Sequence, residues 1–272
     1  MSAPAKTRGE EPPIPTFAGF GPECLEFFAE LGRNNRKAWF ESNRERYETH
    51  VLAPARSLVV ALGARLKTIA PGAHAEPQVN RSIFRLFRDT RFSRDKTPYK
   101  THLGLWFWEG NGPRMECSGF YFHLEPGMIL LGAGLYRFPE QMLEHYRQSL
   151  LHRRHGPALD KALDAVLSKG RYHLYGERYK KVPRGYPEDH PRAELLRHDG
   201  LSVFCEEAVV PSLFSSRLPD WCLRRFQDML PVHRWVKGLV DRAQAEVIEA
   251  GVMDGLALEM APRAPAKGRG RR

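Results

Sequence analysis

Three aromatic or β-branched runs, Thr101–Trp108, Met115–Leu124 and Met128–Leu135, follow one another with only Glu109–Arg114 and Glu125–Gly127 between them. Connections this short leave no room for the crossover that a parallel pair requires, so consecutive runs pair antiparallel, as a meander. A fourth run, Gln78–Arg88, reads two ways. As a helix it stacks Arg81, Arg85 and Arg88 on one face. As a strand it buries Ile83, Phe84, Leu86 and Phe87, and the short apolar run favours the strand. Leu201–Glu206 is read as a further strand, giving a central antiparallel sheet of about four or five.

The flanks carry helical spacing instead. Pro22 opens a helix through Gly32 with Cys24, Leu25, Phe27, Phe28 and Leu31 as its stripe. A second helix starts near Arg36, and a third runs from Pro54 to the stop at Pro71–Gly72. Beyond the sheet, Pro139–Arg153 and Pro157–Ser168 are helical, followed by irregular chain through Pro187. A short helix then starts at Pro191, and Pro219–Ala250 reads as helices broken at Pro231. Helices, then sheet, then helices is the α+β order. Residues 17–250 form one domain, 1–16 read as a disordered N-terminal arm and 251–272 as a flexible basic C-terminal tail.

The net charge of +10 is concentrated in two places. Arg263, Lys267, Arg269, Arg271 and Arg272 supply five positive charges with no acid among them. Arg81–Lys100 holds seven bases against Asp89 and Asp95, a net of +5, so the rest of the chain is neutral. No apolar run approaches the roughly 20 residues that cross a bilayer. Met1–Pro15 lacks the apolar core of a secretory signal, and Cys24, Cys117, Cys205 and Cys222 have no framework spacing. The expectation is a cytoplasmic protein with reduced thiols and no membrane partner.

The dense segment reads Arg85-Leu-Phe-Arg88-Asp89-Thr-Arg91-Phe92-Ser-Arg94-Asp95-Lys96-Thr-Pro-Tyr99-Lys100. Arginine presents a planar fork of donors to phosphate or carboxylate, so converging arginines make an anion pocket. In that reading Arg85, Arg88 and Arg91 grip the anion, Asp89 orients them, and Lys96 and Tyr99 close the site. Lys100 and Arg184 count among the ligand-binding residues. Phe84, Phe87 and Phe92 are read as core. Arg–Asp pairs beside a sheet also form networks that only hold a loop together, and that alternative stands beside the first.

The spacing filled by Arg85, Arg88, Asp89, Arg91, Phe92, Lys96 and Tyr99, R-x-x-R-D-x-R-F-x-x-x-K-x-x-Y, resembles the signature of a widespread bacterial family defined as a conserved domain of unknown function. The resemblance runs from about Phe17 to Leu239. It takes in Asn34-Asn35 with Trp39-Phe40, and Val182-Pro183-Arg184-Gly185-Tyr186 with His190-Pro191. It implies a free-standing bacterial, cytosolic domain and imports no activity. Helix capping accounts for the asparagines as readily as ligand binding does. A surface loop likewise accounts for Lys180–His190.

No phosphate-binding P-loop, HExxH or GxSxG occurs, and Gly132-Ala-Gly134 lacks the third glycine of a dinucleotide fingerprint. No cofactor and no metal ligand set is expected. The leading reading is a protein that binds, or acts on, a phosphorylated or other anionic small molecule. The alternatives are nucleic-acid binding along the motif and tail, a hydrolase or transferase using Asp89 or Asp95 with His190, and a structural Arg–Asp network only. Whether the chain is an enzyme, and in what oligomeric state, stays open at this point.

Overall fold

The computed structural model describes residues 13–260, with side chains described through Glu246. The disordered arm expected at 1–16 lies outside them up to residue 12, and the basic run Arg263–Arg272 lies outside them altogether. Five strands, β1 (Leu103–Trp108), β2 (Gly119–Glu125), β3 (Met128–Leu135), β4 (His173–Glu177) and β5 (His198–Ala208), form one antiparallel sheet in the order β1-β2-β3-β5-β4. The first three are the expected meander. The eight α-helices among the described residues are α1 (Pro22–Arg33), α2 (Lys37–Ser42), α3 (Arg44–Tyr47), α4 (Ala53–Leu66), α5 (Glu140–Leu151), α6 (His155–Leu167), α7 (Ala193–Leu196) and α8 (Leu218–Met260). A π turn over Glu48–Leu52 joins α3 to α4. The α+β class holds, and no helix among the described residues is long and apolar enough to cross a membrane.

Side chains alternate across a strand, so the sheet has one face closed by helices and a second face that the helices leave uncovered. Leu105 and Phe107 of β1, Phe120 and Phe122 of β2, Leu131 and Ala133 of β3, and Val203 and Cys205 of β5 are all buried on the closed face. Helix α8 lies against it with Phe226, Met229, Val232 and Val236, and Phe226 packs on Phe120 at 5.1 Å between centroids. The other face carries Trp106, Tyr121, Gly132 and Phe204 in one cross-strand row.

Four expectations change. Gln78–Arg88 is neither strand nor helix. Asn80, at φ 68°, folds the chain back on itself, and only Ser82–Phe84 runs beside β1, through Phe84 N–H to Gly104 O (3.0 Å) and Trp106 N–H to Ser82 O (2.8 Å). Strand β4 arises inside the stretch expected to be irregular; it is an edge strand of five residues with a bulge near Gly176, too short and polar to show a period. Helix α8 passes through Pro231 unbroken and continues past the expected boundary at residue 250. Proline removes one helical bond and crowds the preceding turn. Here Met229 and Val232, on either side of it, are both fully buried, and that packing holds the helix together. Finally, Phe87 and Phe92 are exposed rather than core, Phe92 almost completely at 96%. Only Phe84 is partly covered, packing on a small cluster of Trp106, Trp108 and Cys117.

A buried polar chain ties α8 to the β1–β2 connection. His233 donates from Nε2 to Glu109 (2.8 Å) and accepts from Ser118 Oγ at Nδ1 (2.9 Å). Burial opposes the charge of both His233 and Glu109. For His233 burial prevails and lowers its pKa; for Glu109 the His233 bond prevails and keeps the carboxyl below its usual range. The resting pair is therefore neutral imidazole and carboxylate. The arrangement has the outline of a serine–histidine–acid triad, but Ser118 and His233 are completely buried, which denies a substrate access.

His233→Ala should destabilise the protein by about 1–3 kcal/mol in urea unfolding, because the Glu109 carboxylate loses its buried imidazole donor and keeps only the Gly72 N–H. Acid should act in the same direction. The folded chain keeps His233 neutral, whereas the unfolded chain takes up its proton near pH 6.5, so stability present above that pH falls as it is lowered. Melting temperatures measured from pH 7.5 to 5 test the sign, and His233→Ala should flatten the trend.

Candidate functional site

The arginine-rich segment is a loop with a paired base and a projecting tip. Arg88 N–H bonds Pro98 O (2.9 Å), Lys100 N–H bonds Leu86 O (2.8 Å), and Phe87 bridges Tyr99. Asn35 fixes the base to the α1–α2 junction. Its carboxamide donates to Tyr99 O (2.9 Å) and accepts from Tyr99 N–H (3.0 Å), standing in for a neighbouring strand. The Tyr99 ring is buried against Phe40 (4.6 Å) and Phe87 (5.0 Å), and its hydroxyl has no partner among the described residues. Asn34 caps α1, with its amide donating to Glu30 O.

Within the tip, most charges answer one another. Arg88 pairs with Asp95 and with the Thr97 hydroxyl. Arg91 pairs with Asp89 (2.7 Å), and Lys96 donates to Thr90 O (2.8 Å). The Arg91 guanidinium and backbone N–H pull the Asp89 carboxyl down to about 2. The Thr97 N–H and then the Arg88 guanidinium do the same to Asp95, also to about 2. Both aspartates are ionised acceptors at neutral pH.

Two clefts meet beside this loop. The first, about 570 Å³, is lined by Arg88, Asp89, Asp95, Tyr99, Lys100 and His102. The second, about 650 Å³, lies on the open sheet face, with Trp106, Tyr121 and Phe204 among its aromatic lining. Gly132 and Gly134 form part of its floor, which gives the GxG a role. Gly134 holds φ +128°, and a Cβ there would meet Leu201 O at 2.3 Å. Tyr136 and Tyr175, stacked at 5.0 Å, line the far end.

Lys100 lines both clefts. Burial, then the charges of Arg85 and Arg114, lower its pKa, which marks an ammonium crowded by like charge. Arg114 sits over the Phe84 ring at 5.2 Å, and Lys100 stands over the same ring at 5.1 Å. Among the described residues no carboxylate pairs with Arg85, Arg114 or Lys100; the nearby acids Glu76, Asp89 and Asp95 pair with Arg81, Arg91 and Arg88.

Behind Lys100 stands a group that sequence reading missed. His102 stacks on His123 at 4.2 Å, and His123 bonds Tyr121 through Nδ1 (3.1 Å) and Glu125 through Nε2 (3.2 Å). Burial, followed by His123, Lys100 and Arg88, holds His102 at about 3, so its ring is neutral. The signal was present in the alternation Tyr121-x-His123-x-Glu125 on one strand face.

The remaining expected residues lie apart. Arg85 is exposed and acts on Lys100 through its charge, Arg91 and Lys96 belong to the loop tip, and Arg184 and His190 belong to the connection after β4, at the opposite edge of the sheet. There His190 accepts the Arg192 N–H before α7, and Tyr186 donates to Glu144 of α5.

Asn35→Ala should cost about 1–3 kcal/mol, the price of stranding two backbone groups, read as a lower urea midpoint. Amide exchange should rise at Tyr99 and Lys100 more than in the sheet.

The family model described as "Conserved hypothetical protein (DUF2461)" matches residues 23–235, most of the chain. No curated protein matches it.

Proposed function

The chain belongs to that conserved hypothetical family, and from this premise we propose that it binds a small organic anion with a flat apolar body. The charged group is held by Lys100, Arg85 and Arg114, and the body lies in the cleft on the open sheet face. One observation carries the reading: Lys100, crowded by the charges of Arg85 and Arg114 and without a carboxylate partner among the described residues, lines a 650 Å³ aromatic cleft. Ligand sites of small molecules have this size and this combination of apolar walls with few convergent polar groups.

The reading moves the anion grip from the middle of the motif to its two ends. Arg88 and Arg91 already hold Asp95 and Asp89, so they shape the loop that presents Lys100. This part of the motif fits the structural-network reading. A hydrolase using Asp89 or Asp95 has less support. Both carboxyls are held near 2, which leaves no proton to donate at neutral pH, and His190 lies at the far edge of the sheet. A nucleic-acid track is less favoured than a small anion, because the aromatic side chains line a bounded cleft instead of a continuous groove.

Anilinonaphthalene sulfonate, a flat apolar anion, serves as the probe. Its fluorescence should report about one site per chain, and Lys100→Met should weaken binding by about 10-fold, in the range of one lost charge-assisted contact. Arg88→Ala should weaken it less and lower stability more. Binding unchanged in a folded Lys100→Met protein, or steeply salt-dependent binding of short RNA in place of the dye, would sink the reading.

A further inference from the structure

We propose that His102, His123 and Glu125 hold a borderline divalent metal ion of the zinc type at the junction of the two clefts. Their ligand atoms all lie within 4.8 Å of one another. The sheet brings them together. Tyr121, His123 and Glu125 alternate along β2 and share one face, and Gly104 is paired with His123, so His102, two residues earlier, emerges on that same face beside Glu125. Two imidazoles and one carboxylate form a donor set suited to zinc or iron(II), with remaining coordination positions left for water or a ligand.

The local geometry fits a metal in three further respects. His123 Nε2 and the Glu125 carboxylate stand 3.2 Å apart, close to the roughly 3–3.5 Å that ligand distances of about 2.0–2.1 Å impose on neighbouring donors. With Nε2 on the metal, His123 carries its proton on Nδ1 and donates it to Tyr121 Oη at 3.1 Å, the second bond that orients metal-bound histidines. His102 makes no hydrogen bond among the described residues, and its ring lines the first cleft, so it can turn out of its stack with His123 to complete the set. Gly104, paired with His123, leaves room for the Tyr121 hydroxyl beside this group: a Cβ there would meet Tyr121 Oη at 3.0 Å.

Lys100 and Arg88 oppose a cation here, since both act electrostatically on His102. Arg88 is compensated by Asp95; Lys100 is not. The metal is therefore expected to bind more tightly when Lys100 is removed, the opposite of what that change does to an organic anion. The metal site does not depend on the anion reading, and Lys100→Met separates the two.

The test uses the full chain, stripped with a chelator and titrated with zinc and, separately, with cobalt(II) for its visible absorption. Wild type should take up one ion per chain at this site. His123→Gln should weaken uptake at least 100-fold, Glu125→Gln at least about 10-fold, and Tyr121→Phe about 10-fold, because the bond that orients the His123 ring is lost. Lys100→Met should match or exceed wild type. Melting temperatures without metal check folding. If His123→Gln does not fold, Glu125→Gln and the cobalt spectrum, which should shift and weaken in His102→Asn as one of the two imidazole ligands is lost, decide the matter. Absence of stoichiometric uptake by wild type overturns the proposal. So does undiminished uptake by folded Glu125→Gln and His102→Asn proteins, which would put the ion elsewhere and leave Tyr121–His123–Glu125 as a metal-free hydrogen-bond chain.

Discussion

Only one face of the sheet is closed by helices, and the rest of the molecule follows from that asymmetry. α8 buries Phe226, Met229, Val232 and Val236 against β2, β3 and β5, using the apolar half of each strand's alternation. The other half has to be managed by smaller means. On β1 and β2 the Ser82–Phe84 segment and the β1–β2 connection fold over Trp106, Trp108 and Cys117 as a second, minor core. On β3 Gly132 and Gly134 take the place of side chains. The open cleft is the space between these two solutions.

The polar groups sort themselves by the same division. Behind the closed face, His233, Glu109 and Ser118 satisfy one another in the interior, where an unpaired member would be costly. On the open face, Lys100 and His102 border clefts, and His123 and Glu125, bonded to each other, stand beside His102. Two constellations of similar composition thus have opposite meanings. Burial and access decide between them, and residue type alone does not.

Much of this was legible in the chain itself. The three runs from Thr101 to Leu135 had connections too short for anything except a meander, and Pro22, Lys37 and Ala53 start helices close to where proline and apolar spacing put them. Gln78–Arg88 misled because its apolar run reflects packing over the face and edge of β1, which needs no regular hydrogen-bond ladder of its own. Pro231 misled because burial on both sides of it outweighs a local penalty. In the motif, spacing marked a special loop, but pairing cannot be read from spacing. The competition between Asp95 and an outside anion for Arg88 is settled by a turn at Thr97, whose N–H fixes the carboxylate. The His102–His123 pair was hidden because one member directly precedes β1 and the other lies on β2, 21 positions apart in the chain.

The bonds from Ser82–Phe84 to β1 have a consequence for solubility. An antiparallel sheet ends in two rows of free backbone donors and acceptors, and those rows invite addition of strands from other molecules. At the β1 side, Ser82 and Phe84 occupy part of that row without forming a strand that itself offers a new one. At the other side, β4 is short and interrupted by a bulge at Gly176. The same irregular segment that leads into the arginine-rich loop thereby acts as a guard against fibre growth, so a change that loosens it exposes a sticky edge as well as disturbing a cleft.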